Sequence, residues 1–242
     1  MARPAGSLST KCCKGKANRC HPVHDAYGQD LLSTGMICDM DRRGFLVSAV
    51  AAASVSALPA RAFAQPYAVS ERDRRILEVA QREVARAGNA LWHRDVAAIA
   101  DFGTHSALPR FHFANLENGT VESFRVAHGQ GSDHEHDGWL KSFSNVNGSN
   151  ATSRGAYVTW EWYQGKYGTS VRLGGLDQDN SAALDRAIVL HPAEYARAEQ
   201  IDRFGKLGRS NGCFAMSPVD FPEALLRVSG GRLIYADRLG IS

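Results

Sequence analysis

The sequence predicts a mainly β fold with a few short helices. Short apolar runs of strand length recur from residue 96 onward with turn residues between them. Asn118-Gly119 sits between two such runs, the strongest short-range hairpin signal. Only three segments keep a helical period or carry helix start and stop residues.

The first of these, Ser70 to Ala87, places Ile76, Ala80, Val84 and Ala87 on one face. Ser70 is positioned to cap it, with Asp73 three residues on and Gly88 to end it. Val96–Phe102 is the first expected strand. Phe111 and Phe113 alternate with other residues in the next, and Asn118-Gly119 returns the chain into Val121–Ala127. Tyr157–Tyr163, Ser170–Leu173, Ala187–His191 and Leu233–Ala236 complete the strands. Pro192–Phe204 is expected as a helix opened by its proline and stopped by Gly205. Ser217–Val228 is expected as another, with a Ser217 cap, Pro218 at the first position, and Gly230-Gly231 as its end. Gly129–Gly155, rich in Gly, Ser and Asn, is too long for a plain turn and reads as a functional or ligand-facing loop region.

Ahead of this globular part, Arg42-Arg43-Gly44-Phe45-Leu46 precedes a mild apolar run from Val47 to Leu58 and an A-x-A cleavage site after Ala64. That order of basic, apolar and small residues is a signal peptide, and the twin arginines specify the Tat route. The apolar run is about twelve residues, well short of the roughly 20 a spanning helix needs, so no membrane span is expected in the mature form. A signal peptide works from a free N-terminus, so translation is expected to start at Met40 or Met36. Residues 1–39 then form a non-native extension, 40–64 the signal, 65–95 a helical segment and 96–242 the main domain. Cys12, Cys13, Cys20, His21 and His24 lie in the extension, and their adjacent cysteine pair departs from zinc-site spacing.

Of the 28 basic and 25 acidic residues, 8 and 4 fall in residues 1–64. The remainder is close to neutral, which offers no case for a nucleic-acid partner. The mature part is expected to be a monomer.

Removing the signal leaves Cys213 as the single cysteine. A lone thiol in an exported protein has no disulfide partner and is exposed to oxidants, so it is usually kept for reactivity. With His191 at the end of an upstream strand it forms the minimum pair for thiolate acyl transfer, the imidazole lowering the thiol pKa. As a bare pair the pattern equally admits a buried, inert cysteine.

Five ordered blocks narrow this choice. Val126-Ala127-His128-Gly129-Gln130-Gly131-Ser132, Phe143–Ser149, Tyr163–Leu173, Ala187–Tyr195 and Gly208–Cys213 together resemble the murein L,D-transpeptidase catalytic-domain family, in its YkuD-like branch with VAHGxGS and FSNxxGS motifs. The resemblance spans roughly Val96 to Ala236 and implies a β-rich sandwich. It implies Cys213 as nucleophile, His191 as general base, and Gly212 with neighbouring amides as oxyanion donors. The implied substrate is the stem peptide of peptidoglycan, attacked without any cofactor or metal, with carbapenems as covalent inhibitors. Hydrolysis of the same bond, as an L,D-carboxypeptidase, or a non-catalytic cell-wall-binding module are the alternatives.

This chain departs from the wider pattern in having Asn211 where a second His is usual, Phe214-Ala215-Met216 where an Arg follows, and Pro192 where Gly is common. Arg209, Arg172 or Arg110 would then have to meet the peptide carboxylate, with Ser210, Asn211 and His128 as further groove residues. His128 reads equally as a structural histidine. Asp133-His134-Glu135-His136-Asp137 reads as a solvated polar loop rather than a metal site. Trp160, Trp162 and Tyr163 alternate along a strand and read as core and sheet surface rather than a sugar platform.

Changing Arg42 and Arg43 together to lysine is expected to leave precursor in the cytoplasm, measured by fractionation. Normal export of that variant would exclude the Tat route.

Overall fold

The computed structural model describes residues 69–241. The export signal, its expected start at Met40 and the cluster from Cys12 to His24 lie outside the described residues. In chain order the elements are α1 (Glu71–Ala87), β1 (Val96–Asp101), β2 (Phe111–Asn115), β3 (Thr120–Phe124), β4 (Gly155–Gly165), β5 (Gly168–Gly175), β6 (Val189–Pro192), α2 (Ala198–Phe204), β7 (Phe214–Met216), α3 (Phe221–Val228) and β8 (Leu233–Asp237). The strands make one mixed sheet of eight in the order β3-β2-β1-β8-β4-β5-β6-β7. The pairs β1–β8 and β6–β7 are parallel and the others antiparallel.

α1 forms as its sequence dictates. Ser70 Oγ accepts the Asp73 N–H at 3.0 Å, and the stripe of Ile76, Val79, Ala80 and Val84 is buried. That stripe packs on Ala97, Ile99, Ala114, Ala156, Val158, Leu233 and Tyr235. Their alternate neighbours Ala98, Ala100, Phe113, Tyr157, Ile234 and Ala236 face the main core on the other side. The middle strands are therefore covered on both faces, which is why β1 and β8 read as continuous apolar runs. Each fully buried Ile or Val of α1 contributes roughly 1.5–3 kcal/mol to holding the helix on the sheet.

The sheet curls into a sandwich. Phe111 on β2 meets Phe214 on β7 with ring centroids 6.4 Å apart, although five strands separate them in the sheet order. Past β3 the chain closes the gap: Ala127 N–H donates to Ala215 O at 2.8 Å and Ala215 N–H returns a bond to Ala127 O at 3.3 Å. β7 is thus held by β6 on one edge and by residue 127 on the other, so the three-residue strand is stable despite its length.

Three local expectations differ. Pro192 ends β6 rather than opening a helix, because Ala193 N–H donates to Met216 O and keeps the chain in the ladder. The helix there is only α2, ended by Gly205 at φ 71°. α3 starts at Phe221 with Pro222 in its first turn, because Ser217 spends its carbonyl and hydroxyl on a preceding turn through Phe221, Asp220 and Val219. β7 has no counterpart among the expected strands, being too short to show a period of two.

Phe214 is fully buried against Phe102, Phe111 and Tyr157, at centroid separations of 5.9, 6.4 and 5.4 Å. Phe214→Ala is expected to destabilise the chain by about 3–5 kcal/mol. Denaturant unfolding checks this; a loss under about 1 kcal/mol would mean that β7 does not anchor the curl.

Candidate functional site

β6 runs between β5 and β7, and its alternation separates core from site. Leu190 and its register partner Phe214 enter the core, while His191 and its partner Ala215 face the other way. The His191 ring stacks on Tyr167 at 4.6 Å and 26°, with Tyr195 edge-on at 6.4 Å. Tyr167 comes from the turn between β4 and β5, so that hairpin holds the imidazole in place. His191 Nδ1 lies 2.9 Å from Pro192 O. A carbonyl only accepts, so Nδ1 carries the proton and Nε2 keeps its lone pair. Burial lowers the His191 pKa, keeping the ring neutral near pH 7.

Cys213 immediately precedes β7, two residues before the partner of His191. Its Sγ–H points to Ala187 O at 3.6 Å, and no hydrogen bond joins it to His191. Burial pushes the thiol pKa up, outweighing the Val189 amide and the Arg186 guanidinium, which pull it down. The expectation of an imidazole-lowered thiol therefore does not hold at rest: the pair sits as neutral thiol and neutral imidazole. The cause is desolvation without a direct ion-pair partner.

The loop carrying Cys213 is fixed by backbone packed on backbone. A Cβ on Gly129 would come within 2.3 Å of Asn150 O and 2.7 Å of Gly212 Cα. Gly212 adopts φ 113°, and a Cβ there would meet Ala151 O at 2.8 Å. Ser210, buried, staples the turn: its Oγ accepts the Gly212 N–H at 3.2 Å and donates to Cys213 O at 2.6 Å. The Gly212 amide, expected to face an oxyanion, is thus turned into the loop. Asn211 is exposed and accepts from Gln130 Nε2 at 3.0 Å.

The expected carboxylate anchors are placed differently. Arg110 is fully buried; it donates to Val126 O at 3.0 Å, to Thr104 O at 2.9 Å and to His128 Nδ1 at 2.6 Å. It has no surface from which to meet a peptide. His128 is also buried, its Nε2 3.4 Å from Asp133 Oδ2, and burial followed by the Arg110 charge lowers its pKa to about 2. His128 is a structural histidine and lines no groove. Asp133 is fully buried and accepts the Asp137 and Gly138 amides at 3.1 and 3.0 Å. The 133–137 stretch is therefore pinned from within rather than solvated throughout, although His134 and Glu135 are exposed. Among the described residues no His/Cys/Asp/Glu group is arranged to hold a metal.

Arg209 donates to Asp133 O and so folds back on that loop. Arg172, directly opposite Val189 in the β5–β6 ladder, shares the sheet face of His191, pairs with Glu161 at 2.9 Å and lies over Tyr163 at 4.4 Å. The residue the sequence did not single out is Arg186. Its guanidinium donates to Ser144 O at 2.7 Å, to Ser149 Oγ at 3.3 Å and to Ala151 O, and a Cβ on Gly212 would lie 3.1 Å from its Nη2. It joins the FSNxxGS block to the cysteine loop. Its place at the head of the strand ending in His191 was the available signal.

The family model for the L,D-transpeptidase catalytic domain matches residues 70–236. The chain belongs to the L,D-transpeptidase catalytic domain family. The match takes in α1 as well as the sheet, in keeping with the apolar cluster they share. Comparison with curated proteins finds no match. Solved structures similar to this family member include an L,D-transpeptidase from Mycobacterium smegmatis, 16% identical over 59% of this chain and 58% of that one, at a TM-score of 0.37. The helical cell shape determining protein Pgp2 from Campylobacter jejuni is 13% identical over 70% and 57%, at 0.37. An L,D-transpeptidase from Mycobacterium tuberculosis is 18% identical over 59% and 57%, at 0.32. The chain thus spans less than two thirds of these proteins' length.

Alkylation of Cys213 by iodoacetamide reads the thiolate directly. Its rate is expected to half-titrate above about 8.5, the ordinary thiol value, because burial disfavours the charged form. Half-titration well below that value would mean a preformed thiolate–imidazolium pair.

Proposed function

We propose that this L,D-transpeptidase family member is an exported cysteine acyltransferase acting on peptidoglycan stem peptides in the periplasm or cell envelope. The observation that carries the reading is the His191 tautomer, set by Pro192 O, on the strand beside the only thiol among the described residues. A neutral imidazole with a free Nε2 lone pair is the correct form for a general base.

The chemistry follows from the neutral resting pair. Sγ–H turns from Ala187 O toward His191 Nε2, which takes the proton as sulfur attacks the carbonyl of the stem's third residue. The C–N bond to the terminal D-alanine breaks, and the imidazolium returns the proton to the leaving amine. An amine of a second stem then attacks the thioester, its proton passing by way of His191 back to sulfur, to give a 3–3 cross-link. Water as acceptor would give a carboxypeptidase instead. Arg186 places a cation near the sulfur. It holds the 144–151 loop at the same time, which supports a positioning role. Arg172, on the His191 face and half-exposed, is better placed than Arg110 or Arg209 to meet a substrate carboxylate.

Incubation with disaccharide tetrapeptide, followed by mass spectrometry, is expected to show loss of one alanine with dimer formation. Cys213→Ala and His191→Ala are each expected to lower turnover more than about a hundredfold, and the double variant little further, since the two act as a unit. Cys213→Ala activity above about a tenth of the parent's would rule out the thioester. Inactivity of the parent chain, with Cys213 shown to be accessible, would leave a wall-binding module.

A further inference from the structure

Three tryptophans stand exposed around one apolar groove that the proposed chemistry does not use. Trp92, Trp160 and Trp162 keep 80%, 49% and 48% of their surface. With Val158 and Leu176 they line a cavity of about 690 Å³. An exposed indole gains nothing for folding, and a cluster of them marks a binding surface.

The indoles are also seated. A Cβ on Gly174 would fall 2.6 Å from Trp160 Nε1, and one on Gly231 would fall 2.8 Å from Trp92 Cγ, so glycine gives both rings their floor. Trp162 Nε1–H donates to Ser229 Oγ at 2.7 Å. The rings are held in place while their faces stay open. Among the described residues the groove has one charged side chain, Glu161, at its edge and facing Arg172; the rest of its lining is neutral. That favours a neutral ligand with flat apolar faces and hydroxyls at the rim, which describes a pyranose ring.

The groove meets the face of β5 that carries Arg172. β4 bulges between Thr159 and Trp162, but Trp160 lies over Gly174, and Arg172 pairs with Val189, so Trp160, Arg172 and His191 share one face of the sheet. From Gly174 to His191 is four residues along β5 and one strand across, about 14 Å. A stem attacked at its third residue puts about three residues, on the order of 10 Å extended, plus a short linker between sugar and scissile carbonyl. We propose that the groove of Trp92, Trp160 and Trp162 is a subsite for the glycan strand, holding sugar rings while their stem peptide reaches Cys213. The identity of the glycan rests on the proposed function; the binding of sugar does not.

The test uses chitotetraose, a soluble oligomer of N-acetylglucosamine, and the chain's own indole fluorescence. Saturable quenching is expected in the parent and equally in Cys213→Ala, and at least tenfold weaker binding in Trp160→Ala and Trp162→Ala. Trp92→Ala, at the most exposed position, guards against a folding artefact and is expected to weaken binding with an unchanged melting temperature. Where turnover is present, Trp160→Ala should raise KM for disaccharide tetrapeptide and leave KM for the bare tetrapeptide alone. Absence of quenching in a folded parent would overturn the proposal even if turnover is found. So would a concentration-dependent dimer, or adhesion to neutral lipid vesicles, that Trp160→Ala abolishes. Quenching without turnover would keep the sugar site and discard the transferase.

Discussion

The close approach of three backbones at Gly129, Asn150 and Gly212 is the constraint on which the cysteine loop depends. No side chain fits at Gly129, where a Cβ would meet only backbone atoms, which cannot swing aside. Hydrogen bonds lock the arrangement, with Gln130 N–H to Ser210 O at 2.8 Å, Gly131 N–H to Asn150 O at 3.0 Å and Ser210 N–H to His128 O at 2.9 Å. The glycine-rich blocks that look like ligand-facing loops are thus largely a packing device. Their polar residues satisfy one another, and what they position is Cys213.

Behind that contact stand two guanidinium groups, Arg110 buried and Arg186 half-buried. Arg110, through His128 and Asp133, fixes where the 128–138 segment leaves the sheet. Arg186 ties residues 144–151 to the cysteine turn. A buried arginine is tolerated only where its donors are met. Here the acceptors are mostly loop carbonyls, which irregular backbone has in surplus. Both charges serve to order loops.

Much of this fold was legible in the sequence. The α1 cap, the Asn118-Gly119 hairpin and the strands of the middle sheet follow from local rules because each satisfies itself within a few residues. β7 and the start of α3 were not legible. β7 is held by partners some 25 and 90 residues away, Leu190 and Ala127 respectively, so nothing local announces it. Pro192 misleads because its missing N–H fits a strand end as well as a helix start. At the site, Cys213 and His191 could be named from the sequence, but burial could not. Only the structure shows that Arg110 and His128 lie inside, that the thiol pKa moves up, and that Trp160 and Trp162 remain half in solvent.

The central claim is that Cys213 acts as an acyl acceptor assisted by a neutral His191. A carbapenem tests it with little demand on substrate anchoring, because its strained carbonyl needs only the nucleophile and its base. Intact-protein mass spectrometry of the chain with a carbapenem should show one added drug mass, formed more slowly in His191→Ala and absent in Cys213→Ala. An unmodified mass after prolonged incubation of folded protein, or an adduct that persists in Cys213→Ala, would contradict the account.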